Sequence, residues 1–301
     1  MVLTMADPPP GPSVPSSTIL SALRWAGEVL KKGRIDESRL TAELLMCHLL
    51  SCERIGLYLE FDKILQRDEL DVYVTLVRRR LAHEPVQYIT GEADFMGLKF
   101  SIDRRVLIPR PETEVLVEEM LSHARRSGAA TVRILDVGVG SGNIAVSLAH
   151  YLPGVSVVGL DVSAGSLEVA AANTRRYRLE GRVALLCADA LGAGPPFRER
   201  SFQAIVSNPP YIPAAEIAGL DPEVRIFEPG LATTDGSDGL TFFRGLAAIA
   251  GRLLEPGGVL MMETAYNQAR TVETIFRENG MGDVRIHRDL SGIERVVAGT
   301  R

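Results

Sequence analysis

Cysteine, tryptophan and long apolar runs are scarce or missing in this chain. Its 301 residues include three cysteines, one tryptophan and five histidines. Cys47, Cys52 and Cys187 have neither the spacing of a disulfide framework nor that of a zinc site. No apolar stretch reaches the roughly 18 residues that a membrane-spanning helix needs. We therefore expect a cytoplasmic protein with reduced thiols, no bound metal and no association with a membrane.

An excess of positive charge is also missing, and this bears on nucleic-acid binding. The chain has 33 lysines and arginines against 38 acidic residues, for a formal net charge of −5. Binding to a phosphate backbone needs a basic surface, and the one basic run is Arg78-Arg79-Arg80. We interpret that run as a solvated helix face. The chain is predicted to be a monomer with no stable nucleic-acid partner.

Length and hydrophobic pattern divide the chain into four segments. With 46% hydrophobic residues it has enough apolar surface for about two domains with real cores. Residues 1–17 contain five prolines and little charge, which is typical of a disordered tail. Residues 18–84 show three amphipathic helical patterns, which predict a small helical domain. Its nearly balanced charge and lack of catalytic groups suit a substrate-recognition domain that binds a protein, with plain packing as the alternative. Residues 85–110 are predicted to form a linker with a β-hairpin over residues 87–100.

Residues 111–301 alternate apolar strand patterns with amphipathic helix patterns. This alternation predicts a doubly wound, mostly parallel sheet. The last two strand patterns, at residues 284–287 and 296–297, predict an antiparallel pair near one edge. No internal repeat interrupts this order.

The most informative motif is Asn208-Pro209-Pro210-Tyr211, which follows an apolar strand pattern at residues 202–206. Two prolines fix φ and remove backbone donors, so the local carbonyls are held rigidly as acceptors. The Asn208 oxygen and a neighbouring carbonyl can accept both hydrogens of a planar amino group, while Tyr211 packs on its flat face. This favours alkylation of an amide or an exocyclic amine. The alternative is an ordinary turn after a strand.

A glycine-rich loop and two acids follow three earlier strand patterns. Residues 132–146 run from an apolar strand through Asp136 and Gly138-Val139-Gly140-Ser141-Gly142 into an apolar helix. Such a loop brings backbone close to a ligand at a helix N-terminus. Asp161 is placed to accept from ribose hydroxyls, and Asp189 from an adenine amino group. The pattern resembles the first motifs of class I S-adenosylmethionine-dependent methyltransferases, although a tight strand-to-helix turn is the alternative for the loop alone.

From about Ile19 to its end, the chain resembles the PrmC/HemK family, the protein-(glutamine-N5) methyltransferases that modify peptide chain release factors. Its most specific motif is Leu-Ile-Pro-Arg-Pro-Glu-Thr-Glu at residues 107–114, preceded by Gln-Tyr-Ile-Thr-Gly at 87–91. Asn-Pro-Pro-Tyr is less specific because amino-group DNA and RNA methyltransferases share it. Phe-Glu-Pro at 227–229 and Asp-Gly-Ser-Asp-Gly-Leu at 235–240 are also similar to the family.

The resemblance implies a class I S-adenosylmethionine-dependent methyltransferase fold with a small N-terminal helical domain. It implies methylation of the glutamine in the Gly-Gly-Gln loop of class I release factors, with S-adenosylmethionine as cofactor, S-adenosylhomocysteine as product and no metal. The implied catalytic residues are Asn208 and Pro209. The implied substrate-binding residues are Asn208, Pro209, Pro210, Tyr211, Phe100, Arg110 and Glu112. The implied cofactor-binding residues are Asp136, Gly138, Val139, Gly140, Ser141, Gly142, Asp161, Asp189, Ala190 and Asn208.

Two positions depart from the family pattern, and other functions stay open. Ala265 stands where the family has glycine in Glu-Ile-Gly-x-x-Gln, which disfavours a positive φ there. Ala190 follows Asp189 where relatives often have an aromatic ring, so a stacking contact with the adenine must come from another group or be missing. The alternatives are an amino-group methyltransferase acting on adenine or guanine of DNA or RNA, a glutamine methyltransferase of a ribosomal protein, and a non-catalytic S-adenosylmethionine-binding protein.

Overall fold

The computed structural model describes residues 18–192 and 197–301. The chain divides between Gly91 and Glu92 into two compact units. This division lies inside the segment expected to be a linker. The tail expected at residues 1–17 lies outside the described residues. Within the described ranges, no helix is both long and apolar enough to cross a membrane.

The first unit is helical and has its own apolar core. The three predicted helices are present, and two short helices accompany them. Thr18 caps the first helix by accepting from the Ser21 backbone N–H at 3.2 Å. Tyr73 is fully buried and donates to the Ala42 carbonyl at 2.9 Å, which joins two of the helices. The helices are α1 (Ile19–Lys32), α2 (Ser38–Leu50), α3 (Arg54–Leu59), α4 (Arg67–Leu81) and α5 (Val86–Thr90).

The arginine run at the end of α4 corrects one expectation. Arg78 is exposed, but Arg79 forms two hydrogen bonds to the Glu84 carboxylate, at 2.8 and 2.9 Å. Arg80 is 5% exposed and donates to the Glu84 backbone carbonyl at 3.1 Å. The interpretation of the whole run as a solvated face was therefore wrong, because two of its three guanidinium groups bind the chain segment that follows the helix.

The hairpin begins later than predicted. Residues 86–90 form α5, which ends at Gly91 with a φ of 76°. The hairpin itself consists of β1 (Glu92–Phe95) and β2 (Leu98–Ser101), paired antiparallel in the second unit. Met96 and Gly97 between them both have positive φ, at 51° and 70°, as a tight two-residue hairpin turn requires. The sequence pattern did not separate the short helix from the first strand.

The second unit contains a seven-stranded sheet with helices around it. Its order is β5-β4-β3-β6-β7-β9-β8. The strands β3 to β7 run parallel, and β9 is antiparallel to both β7 and β8. The predicted doubly wound sheet and its antiparallel edge pair are confirmed. The strands are β3 (Val132–Val137), β4 (Val155–Asp161), β5 (Val183–Cys187), β6 (Phe202–Ser207), β7 (Leu254–Glu263), β8 (Gly282–Arg288) and β9 (Glu294–Thr300).

Seven α-helices and one short 3₁₀ helix, Ala214–Gly219, are described in the second unit. Pro111 occupies the first turn of α6, where its missing N–H costs nothing. The helices are α6 (Pro111–Ser127), α7 (Asn143–Tyr151), α8 (Ala164–Arg176), α9 (Pro222–Phe227), α10 (Gly230–Thr233), α11 (Thr241–Leu253) and α12 (Ala269–Glu278).

Strand order determines where a ligand can bind. From β3 the chain passes to β4 and β5 on one side, and later strands, β6 and β7, add on the other. In open parallel sheets such a reversal leaves a crevice at the carboxyl ends of the two strands beside it. Here those strands are β3 and β6, so the glycine loop after β3 lies beside Asn208 after β6. A Cβ added at Gly138 would lie 3.9 Å from the Asn208 backbone oxygen.

Candidate active site

A pocket of about 190 Å³ opens at the carboxyl ends of β3, β4, β5 and β6. This is more than ten times the space that one water molecule needs, so the pocket can hold a small organic ligand. Most of the predicted cofactor residues line it: Gly138, Val139, Gly140, Ser141, Asp161, Asp189, Ala190 and Asn208. Of the predicted substrate residues, Asn208, Pro210 and Arg110 line it.

The glycine loop has the conformation that its sequence predicts. Gly138, Gly140 and Gly142 have φ values of 75°, 52° and 81°, which L side chains rarely adopt. The backbone N–H groups of Gly138 and Val139 donate to the Leu160 carbonyl at 2.8 and 3.0 Å, which joins the loop to β4. Gly142 does not line the pocket. A Cβ there would lie 3.3 Å from the Ala170 Cβ, so this glycine permits close packing of α7 on α8.

Asp161 is oriented by two backbone hydrogen bonds. Its Oδ2 accepts from the Gly140 N–H at 3.0 Å, and its Oδ1 accepts from the Ser163 N–H at 2.9 Å. A carboxylate has about four acceptor positions, so each oxygen retains capacity for one further donor. The carboxylate is thus pre-oriented at the pocket for a pair of hydroxyl groups.

Asp136 lies outside the pocket lining and is fully buried. Neither of its oxygens has a side-chain or backbone partner of normal hydrogen-bond geometry in the described parts of the chain. Burial raises the pKa of its carboxyl group to about 7, and the charge of Asp161 adds to the shift, while the Ala145 backbone N–H opposes it. The structure therefore places Asp136 in the interior beneath the glycine loop and outside the pocket lining.

The end of β5 carries the predicted Asp189 and Ala190. Asp189 is exposed, and its Oδ1 accepts from the Leu191 N–H at 2.8 Å. Ala190 is buried in the pocket wall. The pocket also has apolar lining residues that the sequence analysis missed, among them Val162 and Phe242. Val162 is 58% exposed there, and the ring of Phe242 in α11 is half-buried.

The signal for Val162 was its position directly after Asp161, at a strand end. No sequence pattern indicates that Phe242 lines the pocket, and only the packing of α11 shows it. A Cβ added at Gly245 would lie 2.4 Å from a Leu191 methyl carbon, so α11 packs directly on the segment that follows Ala190. Phe242 comes one helical turn earlier and so lies on the same side.

Asn208 is held by a residue of the 107–114 motif. Its Nδ2 donates to Thr113 Oγ1 at 3.0 Å. Thr113 lies in the first turn of α6 and is 1% exposed. The preceding Ser207 hydroxyl donates to the Val137 carbonyl at 2.7 Å, which joins the end of β6 to the end of β3. The amide of Asn208 therefore has a fixed partner on its nitrogen side.

Tyr211 is held at both its hydroxyl and its carbonyl. The hydroxyl donates to Glu263 Oε1 at 3.4 Å, and Gln268 Nε2 donates to the Tyr211 carbonyl at 2.9 Å. Burial and the nearby Glu263 raise the pKa of the Tyr211 hydroxyl well above its usual value. Gly239 also approaches this carbonyl, because a Cβ there would lie 2.3 Å from the oxygen. Tyr211 does not line the pocket itself.

Arg110 forms an ion pair with Glu228, whose side chain is 1% exposed. Burial raises the pKa of Glu228, and the Arg110 guanidinium opposes that shift. The pair joins the 107–114 motif to the Phe-Glu-Pro motif at 227–229. Pro229, which follows Glu228, lines the pocket with Arg110.

Glu112 and Phe100 lie away from the pocket lining, as does Pro209, which is buried. Glu112 lies 3.9 Å from the Arg295 guanidinium. Phe100 is fully buried in β2, and its ring packs against Phe95 and Tyr177 at centroid distances of 6.1 and 6.0 Å. The prediction of a substrate-binding role for Phe100 is corrected here, because a side chain without exposed surface cannot contact a substrate.

The described part of the chain contains no candidate metal-binding site. Within residues 18–192 and 197–301, no group of three or more His, Cys, Asp or Glu side chains is placed to hold an ion. The arrangement instead brings together a glycine loop, an oriented carboxylate, apolar side chains and a fixed amide.

Comparison with known proteins gives the same two-part division. Residues 21–91 match the family model described as "PrmC N-terminal domain", and residues 134–226 match "Methyltransferase domain". The release factor glutamine methyltransferase of Geobacter sulfurreducens is 43% identical over 282 residues, covering 94% of this chain and 96% of the relative. The protein of the same name from Chlorobaculum tepidum is 42% identical, covering 92% and 95%.

A solved structure supports the fold of the second unit. The methyltransferase from Pyrococcus furiosus matches with a TM-score of 0.51 and 18% identity, covering 68% of this chain and 90% of that one. At this identity the likeness concerns the fold alone.

Proposed function

This chain belongs to the family of release factor glutamine methyltransferases, and from that premise we propose that it methylates the side-chain amide nitrogen of the glutamine in the Gly-Gly-Gln motif of peptide chain release factors. The methyl donor is S-adenosylmethionine. The observation that carries the proposal is the fixed amide of Asn208 at the mouth of a pocket whose other wall is a glycine loop.

The residues present fit S-adenosylmethionine. Asp161 offers oriented acceptors for the two ribose hydroxyls, and the glycine loop allows close approach of the ligand. Val162 is an exposed apolar side chain inside a pocket, which a purine ring would cover. Phe242 supplies the aromatic surface that Ala190 lacks, and Asp189 is the acceptor for an amino group. The bound cofactor supplies an electrophilic methyl group.

The protein must make a poor nucleophile reactive. An amide nitrogen shares its lone pair with its carbonyl, so it attacks only when that conjugation is weakened. Because Asn208 Nδ2 is bound to Thr113, its Oδ1 is the atom left to accept a hydrogen from the target amide. We propose that the Pro209 carbonyl accepts the second hydrogen. Acceptors placed for the pyramidal nitrogen bind the transition state more tightly than the planar ground state.

No general base is assigned. The nitrogen becomes acidic only after it is methylated, and water can then take its proton. The work of the site is therefore orientation of two reactants and exposure of one lone pair.

We also propose that the helical unit recognises the release factor. This unit has its own apolar core, and none of its described residues, 18–91, lines the pocket. Several large apolar side chains stand exposed on and beside its short helix α3, among them Ile55 at 65%, Leu59 at 80% and Ile64 at 55%. Large apolar side chains that stand exposed on one short stretch of chain suit a protein-binding surface.

The test is transfer of labelled methyl groups to four kinds of substrate. These are an intact release factor, the same factor with its loop glutamine changed to alanine, a ribosomal-protein glutamine substrate, and DNA or RNA. We expect transfer to the first alone. Transfer to nucleic acid, to the ribosomal protein alone, or to the factor lacking the loop glutamine would overturn the proposal.

Asn208 variants test the mechanism in the same assay. Asn208→Ala should lower kcat by about 10²–10³, as expected when one hydrogen bond that stabilises a transition state is removed. Asn208→Asp should be as poor, because a carboxylate has no N–H to give Thr113. If Asn208→Ala kept the wild-type kcat at saturating cofactor, the loop would be an ordinary turn with no role in the reaction.

A further inference from the structure

We propose that Gln268 is a positioning residue that aims the Pro209 carbonyl at the substrate by holding the Tyr211 end of the Asn-Pro-Pro-Tyr loop. This inference deepens the proposed function and rests on it. Gln268 directly precedes α12, is 9% exposed and does not line the pocket. It therefore acts on the reaction through the loop and not by contact with either reactant.

The side-chain amide of Gln268 is itself held in one orientation. Its Nε2 donates to the Tyr211 carbonyl at 2.9 Å, and its Oε1 accepts from the Ala265 N–H at 3.3 Å. A flipped amide would place oxygen against the Tyr211 oxygen and N–H groups against the Ala265 N–H. The backbone N–H of Gln268 also donates to the Ala265 carbonyl, at 3.1 Å. Ala265, the departure from the family pattern, forms this turn without a positive φ.

The peptide group between Tyr211 and Ile212 is bonded on both sides. Its carbonyl accepts from Gln268, and its N–H donates to the Thr233 carbonyl at 3.1 Å. Because the C=O and N–H of a trans peptide point in opposite directions, the two bonds together oppose rotation of the group. Gly239 lies directly against the first bond, since a Cβ there would be 2.3 Å from the Tyr211 oxygen and 3.0 Å from Gln268 Nε2. The carbonyl thus has one directed donor and little room to turn away from it.

The loop is also held on the near side of its two prolines. Asn208 Nδ2 donates to Thr113 Oγ1 at 3.0 Å. The proline rings fix φ, so the direction of the Pro209 carbonyl depends on the ψ angle of that residue. A change in this angle displaces Tyr211, and the bond from Gln268 opposes the displacement. The two anchored ends together therefore aim the Pro209 carbonyl.

The consequence of losing the Gln268 donor falls on kcat. The pyramidal nitrogen of the transition state needs both acceptors, the Asn208 oxygen and the Pro209 carbonyl, in fixed directions. A displacement of about 1 Å near the reacting atoms can cost about 10²-fold in rate. The loop keeps its other anchors, so we expect kcat to fall by about tenfold. Cofactor affinity should change little, because Gln268 does not line the pocket.

The experiment compares Gln268→Leu and Gln268→Glu with the wild type on an intact release factor at saturating cofactor, across pH 5.5 to 8.5. Leucine removes the donor at every pH. A protonated glutamic acid can accept from Ala265 and donate to Tyr211, whereas its ionised form can only accept. Burial disfavours the ionised form, so Gln268→Glu should be several times more active than Gln268→Leu at the acidic end and lose this advantage as pH rises.

The pH comparison uses the ratio of variant to wild-type kcat at each pH. Burial raises the pKa of the nearby Glu263 to about 7, but the wild type carries the same group. The ratio therefore isolates the carboxyl group added at Gln268. The other ionisable groups on the neighbouring elements, which the wild type also shares, are Tyr211, Asp235, Glu112 and Arg295.

Gln203 is a matched control at the other end of β6. Its Oε1 accepts from the Arg133 N–H at 2.7 Å, and it does not line the pocket. Gln203→Leu also removes a side-chain hydrogen bond to backbone, but it should keep the wild-type kcat. An equal loss in Gln203→Leu and Gln268→Leu would assign the loss to general destabilisation and overturn the inference.

Two further results would also overturn the inference. One is a Gln268→Leu variant with the wild-type kcat. The other is a Gln268→Glu variant no more active than Gln268→Leu at any pH. If Gln268→Leu does not fold, the near-isosteric Gln268→Glu still decides, because its kcat relative to the wild type should be higher at pH 5.5 than at pH 8.5. A wild type that transfers no methyl group to the release factor would refute the proposed function itself, so the two failures are distinguishable.

Discussion

Gly239 supports the Asn-Pro-Pro-Tyr loop, and a single carbon atom added at this position would disturb that support. It belongs to the Asp-Gly-Ser-Asp-Gly-Leu segment at residues 235–240, and its φ is 78°. A Cβ at this position would lie 2.3 Å from the Tyr211 carbonyl oxygen, 3.0 Å from Gln268 Nε2 and 3.2 Å from Pro213 Cδ. Gly239→Ala therefore pushes directly on the backbone of the Asn-Pro-Pro-Tyr loop.

The magnitude has two parts. An L residue with this φ costs roughly 1–2 kcal/mol, and overpacking of a tight contact costs about 1–3 kcal/mol more. Because the 2.3 Å contact involves a backbone oxygen, relief requires that Tyr211 move by several tenths of an ångström or more. A displacement of about 1 Å in a reacting group can cost about 10²-fold in rate. We expect kcat to fall by about tenfold to 10²-fold while the affinity for S-adenosylmethionine changes little.

Gly236 is a matched control in the same segment. Its φ is 72°, but a Cβ there would meet nothing within 4 Å. Gly236→Ala therefore shares the backbone cost without the contact. Both variants should lose similar stability from φ in urea denaturation, and Gly239→Ala alone should lose kcat in the labelled-methyl assay. Equal kcat in the two variants would refute the reasoning that Gly239 supports the loop by its missing side chain.

Four other changes test separate parts of the structure. Asp161→Ala should weaken cofactor binding at least about tenfold by calorimetry, because charge-assisted hydrogen bonds are lost; unchanged affinity would remove Asp161 from the site. Phe242→Ala should also weaken cofactor binding severalfold, and Phe242→Leu should weaken it less. A cofactor affinity equal to that of the wild type in both variants would mean that another group covers the adenine. A chain that starts at Glu92 should bind cofactor but lose most kcat/KM on intact release factor, and an equal kcat/KM would end the docking role. Glu263 has a raised pKa, so the folded state keeps a proton that the unfolded state loses above about pH 4.5, and stability falls as pH rises toward 7. Relative to the wild type, the unfolding free energy of Glu263→Gln should therefore rise by up to about 3 kcal/mol between pH 4.5 and 8. A difference between the two proteins that stays constant over this pH range would contradict the raised pKa.

The features that were predictable from sequence are those formed by short, contiguous stretches of the chain. The glycine loop, the acid at the end of β4 and the Asn-Pro-Pro-Tyr loop each follow an apolar strand, and a parallel sheet brings successive strand ends to one edge. For that reason the order of strands was enough to predict that Gly138, Asp161 and Asn208 share a pocket. The antiparallel edge followed from two short alternating patterns near the end of the chain.

The features that were missed depend on contacts between distant segments. Phe100 and Phe242 are both aromatic residues near family motifs, but only the packing of β2 and α11 decides that the first is buried and the second lines the pocket. Sequence alone predicts Arg80 at the surface, whereas in the structure its guanidinium donates to the Glu84 backbone carbonyl. Helix α5 is too short for its periodicity to be distinguished from a strand.

The supports of the catalytic loop explain why Asn-Pro-Pro-Tyr alone does not specify a substrate. An exocyclic amine of a base and a glutamine amide both offer two N–H groups to an acceptor pair, so the four residues suit either. An amide is the poorer nucleophile, and it reacts only where the acceptors hold a pyramidal geometry with little freedom. In this chain the loop is supported by Thr113 of the 107–114 motif, by Glu263 at the end of β7 with Gln268 beyond it, and by the close approach of Gly239. Thr113 lies in the stretch that resembles release factor glutamine methyltransferases most specifically, and Gly239 lies in another stretch that is similar to them. Substitutions in them should therefore reduce methylation of glutamine before they reduce binding of the cofactor, which is the separation that the Gly239→Ala variant measures.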